Sequence, residues 1–198
     1  MAFKIEEAFE IHAPGQRVWE YLIDPAKVAL CLPGAELLES RDDGSYLGAV
    51  KVKVGPVSMS YKGAVRFTEL DESARVVRLT GEGREAGGGG SAKLAMTSRI
   101  TPIENGGSRV IVEAEVDLVG KIVQFGRGMI EEVSRQLFRQ FADCVKQRIE
   151  VAEAADELRV VDEPPVDAKA VSAVPLALRA LWTLVARSLK RLFGRQDG

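Results

Sequence analysis

Residues 121–151, KIVQFGRGMIEEVSRQLFRQFADCVKQRIEV, decide the fold. Ile122, Phe125, Met129 with Ile130, Val133, Leu137, Phe141, Cys144 with Val145, and Ile149 recur at steps of three and four. That is one apolar stripe on a helix. Glu131, Glu132, Arg135, Arg139, Asp143 and Lys146 decorate the other side. The spacing predicts a helix of about 28 residues, on the order of 42 Å at 1.5 Å per residue. Such a helix needs a large apolar surface to lie on, and the sequence before it supplies one.

Upstream the period is 2. From Gly34 to Leu118 the chain alternates apolar and polar residues between turn signals, as antiparallel strands require. Ala35–Ser40 leads through the turn Arg41-Asp42-Asp43-Gly44 into Tyr46–Val54, and Gly55-Pro56 leads on to Val57–Leu70. Arg75–Glu85, Ser91–Ile103 and Ser108–Leu118 complete the run, separated by glycines 87–90 and by Glu104-Asn105-Gly106-Gly107. A further alternating strand, Ala2–Ala13, opens the chain. Pro14-Gly15 breaks it. Two short helices follow, Arg17–Ile23 and Ala26–Cys31, the second capped by Asp24. The order is β-α-α-β6-α, an α+β fold. Seven strands share one apolar face, and the long helix is the element large enough to cover it. The sheet must curl around that helix, a geometry that leaves room for an apolar pocket.

Composition excludes several chemistries. The 198 residues include two cysteines and one histidine, Cys31, Cys144 and His12, too few for a structural Cys/His zinc site. We expect no metal ligands and no catalytic residues. The formal net charge of −2 argues against a nucleic-acid surface. MAFKIEEAFEI has early acids and no apolar core of a signal peptide. Two cysteines suggest no disulfide framework, so a reducing cytoplasm is the default expectation, with a single Cys31–Cys144 bridge left open. Both cysteines are otherwise expected to pack as small hydrophobes. Gly87–Gly90 lacks the Lys-Ser/Thr of a phosphate loop and reads as a hairpin tip. Gly126-Arg127-Gly128 reads either as a hinge beside a cavity mouth or as close packing of helix on sheet. Glu113, Glu115 and Asp117 share the outer face of one strand and read as charge balance, not acid–base chemistry.

The inward positions Met59, Tyr61, Phe67, Leu79, Met96, Ile100, Phe125, Met129 and Val133 are the candidate ligand-lining residues. Plain core is the competing reading for each. Methionines adapt to variable apolar shapes. The small inward residues Gly63, Gly81, Gly83 and Ala114 make room, or else mark bends of a curled sheet. Inward polar groups are few: Tyr61, Ser98 and Glu7.

After the long helix, residues 152–174 are acidic, alanine-rich and broken by Pro164-Pro165, and read as a flexible linker. Residues 175–195 read as an amphipathic basic helix. Arg179, Arg187, Lys190 and Arg191 gather on one side, and Leu181, Trp182, Val185, Leu189, Leu192 and Phe193 on the other. Such a helix lies on an anionic membrane surface and does not span it. Packing on a partner or back on its own domain are the other readings.

The strings FKIEEAFEIHAP, VWEYLIDP, CLPGAELLE, YLGAVKVKVGPVSMSYKGAV and LVGKIVQFGRGMIEEVSRQLFRQFADCV together resemble the CoxG-like family of carbon monoxide dehydrogenase proteins. That family belongs to the START-like (SRPBCC, helix-grip) superfamily. The resemblance spans about residues 2–150 and implies a START-like domain over 1–151. It implies a non-catalytic accessory of a molybdenum CO dehydrogenase system, with a hydrophobic small molecule under the long helix. An isoprenoid quinone or other lipid, shuttled between membrane and enzyme, is the expected cargo. The expected partners are then that ligand, an anionic membrane surface and the CO dehydrogenase complex. The expected location is cytoplasmic, peripheral to the inner face of the cell membrane. The alternative is an adaptor that recruits the dehydrogenase through the tail and carries nothing.

Overall fold

In the computed structural model residues 1–161 are described. The remaining linker residues and the whole of the expected helix 175–195 lie outside them. The elements in order are β1 (Ala2–Ile11), α1 (Gly15–Leu22), α2 (Pro25–Cys31), β2 (Ala35–Ser40), β3 (Ser45–Val54), β4 (Val57–Asp71), β5 (Val76–Glu85), β6 (Gly90–Pro102), β7 (Ser108–Gly120) and α3 (Arg127–Val161). The seven strands form one antiparallel sheet in the order β1-β7-β6-β5-β4-β3-β2. Consecutive strands are neighbours from β2 to β7. The first strand closes the far edge against the last.

Local chemistry accounts for the joints. The Asp24 carboxylate accepts the amides of Ala26 and Lys27 at 3.0 and 3.3 Å and caps α2, with Pro25 preset at its first position. At the β2–β3 turn Asp43 accepts both the amide and the hydroxyl of Ser45, and Gly44 takes φ 76°. A register shift between Phe67 and Glu69 bends β4.

The long helix departs from the expected bounds at both ends. It does not begin at Lys121. Residues Lys121–Phe125 form a 3-10 turn, and Gly126, at φ 78°, separates that turn from α3. Glycine is needed there because other residues enter that region only with strain. At the other end α3 runs through Val161, ten residues past the expected domain end at 151. The alanines and glutamates of 152–157 are good helix formers, which outweighs their lack of an apolar period.

The cysteines are the second correction. Cys31 and Cys144 do not pack as separate hydrophobes; they form a disulfide, with Cα atoms 5.4 Å apart. The bridge ties the end of α2 to α3. Its presence removes the cysteine count as an argument for a reducing compartment.

The core lies between sheet and α3 and is divided in two. One cluster joins Phe9, Ile11, Val18, Trp19, Ile100 and Val110 to Ala142, Val145 and Ile149 of α3. Phe138 and Phe141 close it with edge-on contacts to Phe9 at 6.0 and 6.4 Å. The other joins Phe3, Val54, Met59, Tyr61, Leu118 and Ile122 to Ile130 of α3.

Candidate functional site: an apolar hollow between two cores

Strand register arranges the inner face of the sheet in rungs. One rung runs Ile5, Ala114, Met96, Leu79, Phe67 across β1, β7, β6, β5 and β4. The rung on one side of it carries Glu7, Val112, Ser98 and Val77. The rung on the other carries Phe3, Val116, Leu94, Gly81 and Val65. The two clusters hold the ends of this face. At its centre Leu79, Leu94 and Met96 belong to neither cluster, and each is only half-buried although it faces the helix side. Leu137 of α3 is likewise half-buried and in neither cluster. Between two well-packed cores lies a hollow with an aliphatic floor that water can reach.

The structure distributes the nine candidate lining residues over three environments. Leu79 and Met96 lie on the central rung. Phe67 shares their rung, packs against the first cluster and meets Tyr46 edge-on at 5.8 Å. Ile100 belongs to the first cluster, and Met59 and Tyr61 are buried in the second, with Phe125 and Val133 packed against it. Met129 is 46% exposed on the first turn of α3 and lies outside both clusters. Leu94, Ala114 and Leu137 complete the hollow. Alternation alone does not reveal them, because it gives the face of a residue and not its rung.

The hollow is poor in polar groups. Ser98 is buried, and its Oγ has no hydrogen-bond partner. Glu7 is half-buried at the edge strand. Tyr61 has its hydroxyl pushed above the ordinary range, first by burial and then by the Glu85 carboxylate nearby. Glu85 in turn accepts the amide of Gly89 at 2.7 Å. The backbone amides of Gly89 and Gly87, with Lys121 beyond, hold its carboxyl below the usual range despite some opposing desolvation. It braces the glycine hairpin between β5 and β6.

Local geometry settles the lesser motifs. An added Cβ at Gly126 or Gly128 would meet nothing within 4 Å, so close packing on the sheet does not explain Gly126-Arg127-Gly128. At Gly63 a Cβ would lie 2.0 Å from the Glu82 carbonyl oxygen, so this glycine marks a close backbone approach in the curled sheet and not extra room. Glu113, Glu115 and Asp117 are exposed on the outer face. Glu115 pairs with Lys4 at 3.0 Å and Asp117 with the N-terminal ammonium at 3.1 Å. His12 is exposed, and its amide donates to Glu150. Among the described residues no three His, Cys, Asp or Glu side chains are grouped to hold a metal ion. A separate open depression of about 580 Å³ lies between α2 and β2, lined by Leu30, Leu32, Pro33 and Leu37 among others, and contains none of the nine.

Residues 8–150 match the family of the carbon monoxide dehydrogenase CoxG protein. No curated protein matches the chain. Among solved structures it is similar to a conserved protein from Geobacillus kaustophilus, at 19% identity and TM-score 0.69, covering 76% of this chain and 97% of that one. It is also similar to the Zhui aromatase/cyclase from Streptomyces sp. R1128, at 16% identity and TM-score 0.55 over 76% and 94%. A START superfamily protein from Mycobacterium smegmatis matches at 14% identity and TM-score 0.52 over 75% and 98%. These likenesses establish the fold, a START-like helix grip.

Proposed function

Because the chain belongs to the carbon monoxide dehydrogenase CoxG family, we propose that it is a non-catalytic accessory of a CO dehydrogenase system that carries a long hydrophobic molecule. The observation that carries the reading is the central rung Ala114–Met96–Leu79, aliphatic and half-open between two packed cores, with Leu137 above it. An ordinary domain of this size closes such a space, because apolar surface left open to water costs about 25 cal/mol per Å². A hydrophobic guest removes that cost.

The cargo we propose is an isoprenoid quinone or a lipid of similar shape. A prenyl chain leaves a bilayer against about 0.8 kcal/mol per CH₂, and an aliphatic hollow lowers that barrier. The scarcity of inward polar groups fits a carrier better than an enzyme. The cyclase neighbour shares the fold and, at 16% identity, nothing more is drawn from it. No described helix is long and apolar enough to cross a membrane. In this reading the chain meets the membrane from the surface, through the basic amphipathic segment 175–195 read from the sequence.

The test is the content of the protein itself. The full chain is purified from its native membrane background and extracted with organic solvent, and the extract is analysed by mass spectrometry. A near-stoichiometric isoprenoid quinone, lost in Leu79→Glu, supports the carrier. An empty protein that still binds both liposomes and the dehydrogenase favours the membrane-recruiting adaptor.

A further inference from the structure

The outer face of the sheet is electrically lopsided. Toward the β1–β7 edge it carries Glu6, Glu113 and Glu115. Across β3, β4 and β5, near the β3–β4 hairpin, it carries Lys51, Lys53, Lys62 and Arg84, all exposed and none in an ion pair among the described residues. Lys62 and Arg84 stand directly opposite each other in the ladder. Like charges so placed weaken a sheet, and no carboxylate among the described residues pairs with either. Glu82, on the next row, is held by Lys93 at 3.7 Å, and Glu36 lies two strands from Lys62, across Ala49. The same row continues through Ser91 to Val119, which is 55% exposed. Val57, at the hairpin tip, is 41% exposed.

We propose that this end of the sheet docks on an anionic lipid bilayer, with Lys51, Lys53, Lys62 and Arg84 over the headgroups and Val57 and Val119 at the interface. Charge complementarity selects an anionic partner. The composition selects lipid over protein. Three of the four cations are lysines, point charges on flexible stems that suit a fluid headgroup layer. The exposed apolar groups are scattered aliphatics, and the aromatic anchors that dominate protein hot spots are missing from the exposed large hydrophobics of the described residues. This surface is separate from the segment 175–195. It is also separate from the hollow, from which the second core cluster divides it, so the inference stands whether or not a cargo is carried.

The test uses the full chain with a solvatochromic dye on Ser58→Cys at the hairpin, and the same dye on Glu113→Cys at the acidic edge as reference. Vesicles of phosphatidylglycerol and phosphatidylcholine in equal parts are added, with pure phosphatidylcholine as control. The expected result is a blue shift at 58 and none at 113, abolished by phosphatidylcholine alone or by high salt. Each basic side chain near an anionic surface contributes about fivefold in partitioning, so Lys53→Glu/Lys62→Glu/Arg84→Glu should weaken vesicle binding at least about tenfold. Circular dichroism should show that variant folded, since it removes the Lys62–Arg84 repulsion. An unshifted dye at 58, equal shifts at both positions, or unchanged binding by the folded variant overturns the proposal. Capture of an acidic protein without a shift on vesicles does the same. None of these outcomes touches the solvent-extraction result, so the two claims fail separately.

Discussion

Reduction of the Cys31–Cys144 bond should be the largest single perturbation available without mutation. The bond spans 113 positions of sequence and joins α2 to α3. In the chain-entropy account a loop of that length removes about 16 cal/mol/K from the unfolded ensemble, or about 5 kcal/mol at 25 °C. Unfolding entropy of about 2.1 cal/mol/K per residue over the unit Met1–Leu158 converts this to a fall in Tm of about 15 °C. Strain or residual structure in the unfolded chain would shrink the figure, so a fall of 5–15 °C, roughly, is expected. The assay is thermal and urea unfolding of the wild type with and without dithiothreitol, beside Cys31→Ser/Cys144→Ser. The double variant should melt like the reduced wild type and ignore the reductant. A wild type whose midpoint moves by under about 2 °C on reduction would refute the reasoning. So would a double variant that responds to reductant as the wild type does.

Other expectations follow from particular contacts. Gly120→Ala should destabilise by about 3 kcal/mol or more in urea melts, because φ is 103° and the new Cβ would lie 1.9 Å from the Gly89 carbonyl oxygen. Asp24→Ala should cost about 1 kcal/mol through loss of the α2 cap. Burial works to raise the Asp24 carboxyl, but the amides of Lys27 and Ala26 and the Lys27 ammonium outweigh it and hold it below the usual range. A depressed carboxyl stabilises above its unfolded pKa near 4 and loses that contribution as pH falls through its folded value. The pH dependence of the urea midpoint between about pH 5 and 2 should therefore flatten in Asp24→Ala. Ala114→Leu should fill the hollow, abolish any co-purifying lipid and change stability by less than about 1.5 kcal/mol, read by mass spectrometry beside a urea melt.

Alternation and period made most of the fold legible. The run Met59, Tyr61, Gly63, Val65, Phe67 keeps one face until the register shift beyond Phe67, and the stripe from Ile130 to Ile149 lies on the helix side as read. What escaped has physical causes. The entry to α3 depends on the positive φ of Gly120 and Gly126, which a periodicity reading over Lys121–Phe125 does not register. The disulfide joins residues far apart in sequence, and only the placement of α2 beside α3 shows that they meet. In the site, inward-facing residues divide into core and hollow by rung, and rung depends on pairing between strands. That is why Ile100 and Tyr61 fall into packed clusters while Leu79 and Met96 do not. Met129 sits beside the stripe in sequence, yet Ile130 takes the buried position and leaves it exposed.

The most direct test of the central claim is mass spectrometry of the organic extract of the full chain taken from its native membrane background, with Leu79→Glu in parallel. The predicted result is a near-stoichiometric isoprenoid quinone or comparable lipid in the wild type and none in the variant. A folded wild-type protein whose extract is empty would contradict it.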